Sequence, residues 1–145
     1  MAKMLDHAIK IVRGEAPPPP VAALIGFALK SIEAGHALVE LEADERHTNP
    51  MGTLHGGILC DVADAAMGLA HAATLEEGES FTTLELKINF LRPVWKGRLA
   101  AEARTVSAGR SVAMLECDIR DEQGRLVARA TSTCLTLRGE QALGR

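Results

Sequence analysis

The run His47-Thr48-Asn49-Pro50-Met51-Gly52-Thr53-Leu54-His55-Gly56-Gly57 places an amide side chain, two histidines and a glycine pair directly before an apolar helix pattern that contains Asp64. A helix starting near Gly57 leaves the amides of Gly56 and Gly57 at its positive end, without intrahelical acceptors. Glycine there lets a ligand approach the backbone closely. Such amides can hold a carbonyl oxygen and stabilise it as charge develops. A glycine turn that merely opens the helix is the plainer alternative. His55 before the pair and Asp64 after it favour chemistry.

Asp64 is the sharper signal. A carboxylate in the second turn of a buried helix is costly unless it is paired or used. Asp61, nearer the start, suits the helix dipole better. The two lie three residues apart on similar faces, and the residues alone lean only slightly to Asp64. Asn49 can orient a water or polarise a carbonyl without carrying charge, but Asn-Pro equally starts a turn. His55 reads first as a loop organiser, within reach of a substrate oxygen. His36, His47 and His71 belong to no constellation and read as structural.

These groups need elements to position them. Residues 3–12 predict a short helix with Leu5, Ile9 and Val12 along one side. Pro17 to Pro20 then make a stiff extended connector. From Gly26 the pattern turns strand-like, with Ala37, Val39 and Leu41 alternating against polar neighbours. Residues 58–75 predict one long helix, apolar almost all round and therefore surrounded by protein. Four strands follow as a meander. The first has Leu84, Leu86, Ile88 and Phe90 on one face; the others cover 98–106, 111–120 and 125–137. Their turns are Ala108-Gly109-Arg110 and Asp121-Glu122-Gln123-Gly124. Residues from Gly139 read as a tail. The expectation is an α+β fold with an antiparallel sheet wrapped around one central helix. Its free edge strands invite pairing with another copy, most simply in a two-fold homo-oligomer.

Composition sets the limits. The chain has 145 residues, 47% hydrophobic and 24% charged, with a net charge of -3. That is one globular domain able to bury a core, with no basic footprint or aromatic platform for nucleic acid. No apolar stretch reaches the ~20 residues of a membrane span, and the N-terminus lacks a signal-peptide core. Cys60, Cys117 and Cys134 read as small buried hydrophobes in a reducing cytoplasm. No Cys/His spacing suggests a metal site.

The stretch Asn49 to Gly57, with Asp64 nine residues after His55, resembles the hotdog-fold acyl-CoA thioesterases, most of all the phenylacetate-degradation subgroup. The similarity continues through Thr82-Thr83-Leu84-Glu85-Leu86-Lys87-Ile88-Asn89-Phe90-Leu91-Arg92-Pro93 and covers roughly Gly26 to Leu137. It implies a hotdog domain over 26–138, preceded by an arm over 1–25 and followed by a tail over 139–145. It implies that the Gly56 amide, with Gly57 beside it and His55 orienting the loop, polarises a thioester carbonyl. Asp64 would act as nucleophile or as general base on water, and Asn49 would position that water or the carbonyl. Thr83, or Thr82 by a one-residue shift, would supply a hydroxyl from the partner subunit. Related subgroups carry glutamate in place of Asp64 and glutamine in place of Asn49.

The resemblance further implies that the pantetheine arm of coenzyme A follows a subunit interface. Gly109, Arg110 and Ser111 would then sit near its phosphates, with Arg92 and Lys96 as weaker candidates; Arg110 serves equally well as a solvated hairpin residue. Ile58, Met67 and Leu84 would line the acyl pocket. No cofactor is implied beyond the coenzyme A of the substrate. The partner is the acyl-CoA, and the assembly is a dimer or a dimer of dimers (a homotetramer). Two other functions remain open: an enoyl-thioester hydratase or dehydratase, which needs a catalytic histidine paired with the acid, and a non-catalytic acyl-CoA binding protein.

Overall fold

A computed structural model describes residues 3–145. The chain opens with helix α1 (Lys3–Val12) and a short helix α2 (Pro20–Ile25), followed by strands β1 (Phe27–Glu33) and β2 (His36–Ala43). A 3-10 turn (Glu45–His47) and a loop lead into the central helix α3 (Gly56–Ala72). Strands β3 (Ser80–Phe90), β4 (Gly97–Ala108), β5 (Val112–Arg120) and β6 (Leu126–Leu137) complete the fold, and a 3-10 turn (Gly139–Ala142) follows.

The proline run is shorter than the sequence predicts. Pro17 to Pro19 lie outside any helix, with Pro19 extended, but Pro20 opens α2, where its missing N–H costs nothing and its fixed φ suits the first turn. Gly26 ends α2 at φ +97, a conformation natural to glycine. Its N–H donates to the Ala22 carbonyl at 2.7 Å, and the chain turns into β1.

All six strands form one antiparallel sheet in the order β1-β2-β4-β5-β6-β3. The four-strand meander is therefore corrected: only β4, β5 and β6 follow one another, while β3 occupies the far edge beside β6. α3 crosses the inner face of the sheet, so the chain emerges from it at the far side. The segment after Phe90 then returns to the near side and pairs β4 with β2. It is held on the way, with Leu54 N–H donating to the Val94 carbonyl at 2.7 Å and Leu91 N–H to the Val127 carbonyl at 2.8 Å. Side-chain alternation tells which face a strand buries; it does not choose the neighbour.

The sheet wraps α3, which contacts every strand. Val62, Ala63, Ala66, Met67 and Ala70 on the helix are at most 1% exposed, as are Val39, Leu41, Leu99, Ala101 and Ala103 opposite. Alanine on both surfaces lets the curved sheet approach the helix closely. Cys117 and Cys134 are buried as expected, whereas Cys60 is only half-buried, because it lies on the helix flank turned away from this core. No helix among the described residues is long and apolar enough to cross a membrane.

Close packing makes a testable demand. Ala66→Leu adds volume where no side-chain movement can absorb it, and should cost about 1–3 kcal/mol in urea denaturation at fixed protein concentration. Unchanged stability would mean that the helix–sheet contact is loose.

Candidate active site

The loop before α3 is built by its own side chains. Asn49 Oδ1 accepts from the N–H groups of Met51 and Thr53 at 3.0 and 3.2 Å, and its Nδ2 donates to Thr53 Oγ1 at 2.9 Å. The side chain therefore forms the turn that Asn-Pro announces and keeps one N–H for other use. His47 is buried: its Nδ1 accepts from the Asp44 N–H at 3.1 Å. Its Nε2 therefore carries the proton and donates to the Ile25 carbonyl at 2.6 Å. The same residue's carbonyl accepts from the His55 N–H at 2.9 Å. His47 thus ties the end of α2 to the loop that carries Asn49.

His55 is the N-cap of α3, and its Nδ1 accepts from the Gly57 N–H at 2.9 Å. This corrects the expectation of two free amides: the Gly57 N–H is spent on the cap. Among the described residues the Gly56 N–H has no acceptor. A Cβ on Gly56 would lie 2.9 Å from the Phe90 ring, so the ring packs directly against the bare glycine. Gly56, Phe90, Leu91 and Arg92 line a shallow cavity beside this amide.

Asp64 opens on a different cavity, of about 310 Å³, together with Thr83 and otherwise apolar groups. Partial burial pushes its carboxyl above the ordinary value, the Thr83 hydroxyl draws it back, and the charge of Asp61 raises it again. The hydrogen bond that Thr83 Oγ1 makes is with Cys134 Sγ, at 3.8 Å. Both acids are exposed, but only Asp64 lines this cavity, which separates it from Asp61. Thr82, paired with Leu135, is likewise outside the lining.

Three expectations about this region change. Thr83 and Asp64 belong to one chain here, so the hydroxyl does not have to come from across an interface to reach the acid. A register shift between Thr83 and Glu85 leaves Leu84 as an extra, exposed residue. Met67 is fully buried in the core and Ile58 packs against it. The cavity is lined instead by Ala65, Gly68, Leu69, Ala72 and Phe81 of α3 and β3.

The turn Gly109-Arg110-Ser111 lies at the other end of the molecule, near the C-terminal end of α3. Arg138, which the sequence did not single out, anchors it. Its guanidinium donates to the Arg110 carbonyl at 2.7 Å, to Ser111 Oγ at 3.3 Å and to Glu79 Oε1 at 2.7 Å. The Arg110 side chain is exposed. Of the weaker candidates, Arg92 stands beside Gly56, whereas Lys96 lies with Asp44, Glu45 and Arg46. Among the described residues no group of His, Cys, Asp or Glu is placed to hold a metal ion.

Helix geometry decides what one chain can do. Gly56 and Asp64 are eight residues apart on α3, about 12 Å along its axis. They cannot meet on the same carbonyl carbon within one chain. They do share a stripe, because Gly56, Cys60, Asp64 and Gly68 follow at four-residue intervals, and none of the four is buried.

A family model described as the thioesterase superfamily matches residues 51–128, more than half of the chain. The 1,4-dihydroxy-2-naphthoyl-CoA hydrolase of Listeria monocytogenes is 34% identical over 103 residues, which are 71% of this chain and 84% of that protein. A thioesterase family protein from Silicibacter pomeroyi superposes with a TM-score of 0.80 at 31% identity, covering 91% of this chain and 99% of that one. A variant of the phenylacetic acid degradation protein PaaI from Thermus thermophilus does so with a TM-score of 0.75 at 30% identity, covering 81% and 98%. The chain belongs to the thioesterase superfamily. Its hotdog architecture and its class, a thioester hydrolase, are those that the sequence predicts.

The shifted acid carries a stability signature. With its folded pKa raised above the unfolded one, Asp64 costs stability as pH rises through that window, and the deficit persists above it. Asp64→Asn never carries the charge. It should raise the melting temperature at pH 7, and the gain should fade as pH falls to about 4, the ordinary aspartate range. Thermal melts across pH check this. A variant less stable than wild type at pH 7 would show that the ionised carboxylate is stabilised instead.

Proposed function

We propose that this protein hydrolyses acyl-CoA thioesters to the free acid and coenzyme A, at sites completed by two copies of the chain. The observation that carries the reading is the placement of the Asp64 carboxylate with the Thr83 hydroxyl at an apolar cavity large enough for an acyl group. Desolvation raises the pKa of that carboxyl, and an acid of raised pKa is a stronger base than an ordinary one.

In the proposed site one copy supplies Asp64 and Thr83. The other supplies the unpaired Gly56 amide and the remaining Asn49 N–H. The amide takes the thioester carbonyl oxygen, and His55 holds the loop through its cap to Gly57. Asp64 either attacks the carbonyl carbon or removes a proton from the attacking water. On the base route the C–S bond breaks and the sulfur leaves as the coenzyme A thiol with the proton that Asp64 took from water. On the nucleophile route the thiolate leaves and takes a proton from water, and a second water hydrolyses the acyl–Asp64 anhydride to the free acid. Arg92 of the copy that gives Gly56 lines the cavity beside that amide. Gly109, Arg110 and Ser111 would meet the nucleotide only from a copy running the opposite way.

Several features support such pairing. β3 is an edge strand with an unpaired side, and Leu84, Phe90, Leu91 and Trp95 on and after it are all more than half exposed. Exposed apolar groups on a free edge mark an interaction surface. A two-fold that sets α3 against α3′ in opposite directions brings Gly56 of one to Asp64 of the other, with Cys60 near the axis. Relatives named as acyl-CoA hydrolases add the substrate class. The hydratase alternative is disfavoured because His55 Nδ1, taken by the Gly57 N–H, serves as the helix cap. The cytoplasm, where acyl-CoA is made and used, is the proposed compartment.

A screen of acyl-CoA thioesters with thiol detection tests the reading. Wild type should release coenzyme A from at least one. Asp64→Asn, folded and assembled, should lose turnover by about a thousandfold or more. Wild-type rates in that variant would refute the role of Asp64, and a wild type that binds acyl-CoA without turnover would favour the binding-protein alternative.

A further inference from the structure

The cavity that holds Asp64 lies in the seam where the sheet fails to close around α3. Its floor is α3, through Ala65, Gly68, Leu69 and Ala72. One flank is edge strand β1, through Phe27 and Leu29, and the other is edge strand β3, through Phe81 and Thr83. The remaining wall belongs to the N-terminal arm: Met4 and Ile11 from α1, Pro18 and Pro19 from the connector, Val21 and Ala22 from α2. The arm therefore closes a gap that the hotdog sheet leaves open.

That wall is held in place. Pro19, at φ -63 and ψ 151, is in the stiff polyproline conformation. The end of α2 is fixed by Gly26 bonding to Ala22 and by His47 bonding to the Ile25 carbonyl. Its chemistry is uniform. Apart from Asp64 and Thr83, every side chain lining the cavity is apolar. A hydroxyl or charge on a group buried here would give up water for nothing. At Gly68 a Cβ would sit 3.3 Å from the Phe81 ring, so the ring packs against the bare helix there and the arm faces it across the cavity.

Resting on the acyl-CoA hydrolase reading, we propose that residues 3–25 form the specificity wall of the acyl pocket. With the carbonyl at Asp64 and Thr83, the acyl group runs beneath the arm. The preferred substrates are thioesters of apolar acyl groups, straight-chain or phenyl-terminated, that carry no hydroxyl. Ile11 and Val21 set how long or wide they can be.

The test compares wild type, Ile11→Trp and Val21→Trp on acetyl-, octanoyl-, phenylacetyl- and 4-hydroxyphenylacetyl-CoA, with kcat/KM as the readout. Wild type should prefer phenylacetyl-CoA over its hydroxylated analogue by about tenfold or more. Each tryptophan should lower the octanoyl-to-acetyl ratio of kcat/KM by about tenfold or more. Val21 lies on the exposed rim, so its variant tests the wall even where a tryptophan at Ile11 disturbs folding, and thermal melts identify which variants are intact. Unchanged ratios in an active, folded Val21→Trp protein would overturn the arm as a specificity wall and leave the hydrolase reading standing. Equal rates on the hydroxylated analogue would overturn the substrate class. A wild type inactive on all four and on longer acyl-CoAs would overturn both readings together.

Discussion

The seam left by an incompletely closed sheet is the constraint on which the rest of this structure depends. Six strands curve around α3, and Ala63, Ala66 and Ala70 let them come close. The two edges, β1 and β3, do not pair with each other. Along that gap the helix needs neither to be small nor to be apolar, and there the sequence places Asp64. The same gap gives the carboxylate its partial burial, its hydroxyl neighbour on β3 and its apolar cavity. It also gives the arm a place to pack. Without the gap an acid on this helix would be an unpaired buried charge.

A second constraint follows from the helix itself. Its N-terminus offers one uncommitted amide at Gly56, because His55 caps Gly57. The acid lies more than two turns further on, at a separation no side-chain rotamer can close. In the proposed site this puts half of the machinery at each of two places. The stripe through Gly56, Cys60, Asp64 and Gly68 joins them and remains unburied. Under the proposed reading an antiparallel pair of such helices would convert two half-sites into two whole ones, and assembly becomes a condition of activity.

Much of this was legible in the residues, and what was not has identifiable causes. α3 announced itself through its apolar run, and its start through His-Gly-Gly. The burial of Ala37, Val39 and Leu41 followed from their period of two. Strand order did not follow, because β3 pairs with β6 at separations of 38 to 57 residues and alternation carries no information about neighbours. The bulge at Leu84 escaped because the apolar alternation of Leu84, Leu86, Ile88 and Phe90 runs straight through it. α2 was hidden by Pro20, which reads as part of a proline run and is also a good first residue of a helix. The commitment of the Gly57 amide turned on one histidine rotamer. Arg138 gave no signal, since its partners at Arg110, Ser111 and Glu79 are distant in sequence.

The claim at the centre of this account is that Asp64 and Gly56 serve the same thioester from different chains. Mixing two separately inactive variants, Asp64→Asn and Asn49→Ala, tests it most directly. After subunit exchange, a mixed pair holds one site with both changes and one with neither. The account predicts that thiol release from acyl-CoA reappears, up to about a quarter of the wild-type rate for random pairing of a two-fold assembly. If exchange is complete by native mass spectrometry and no activity returns, the catalytic groups come from a single chain and the account is wrong.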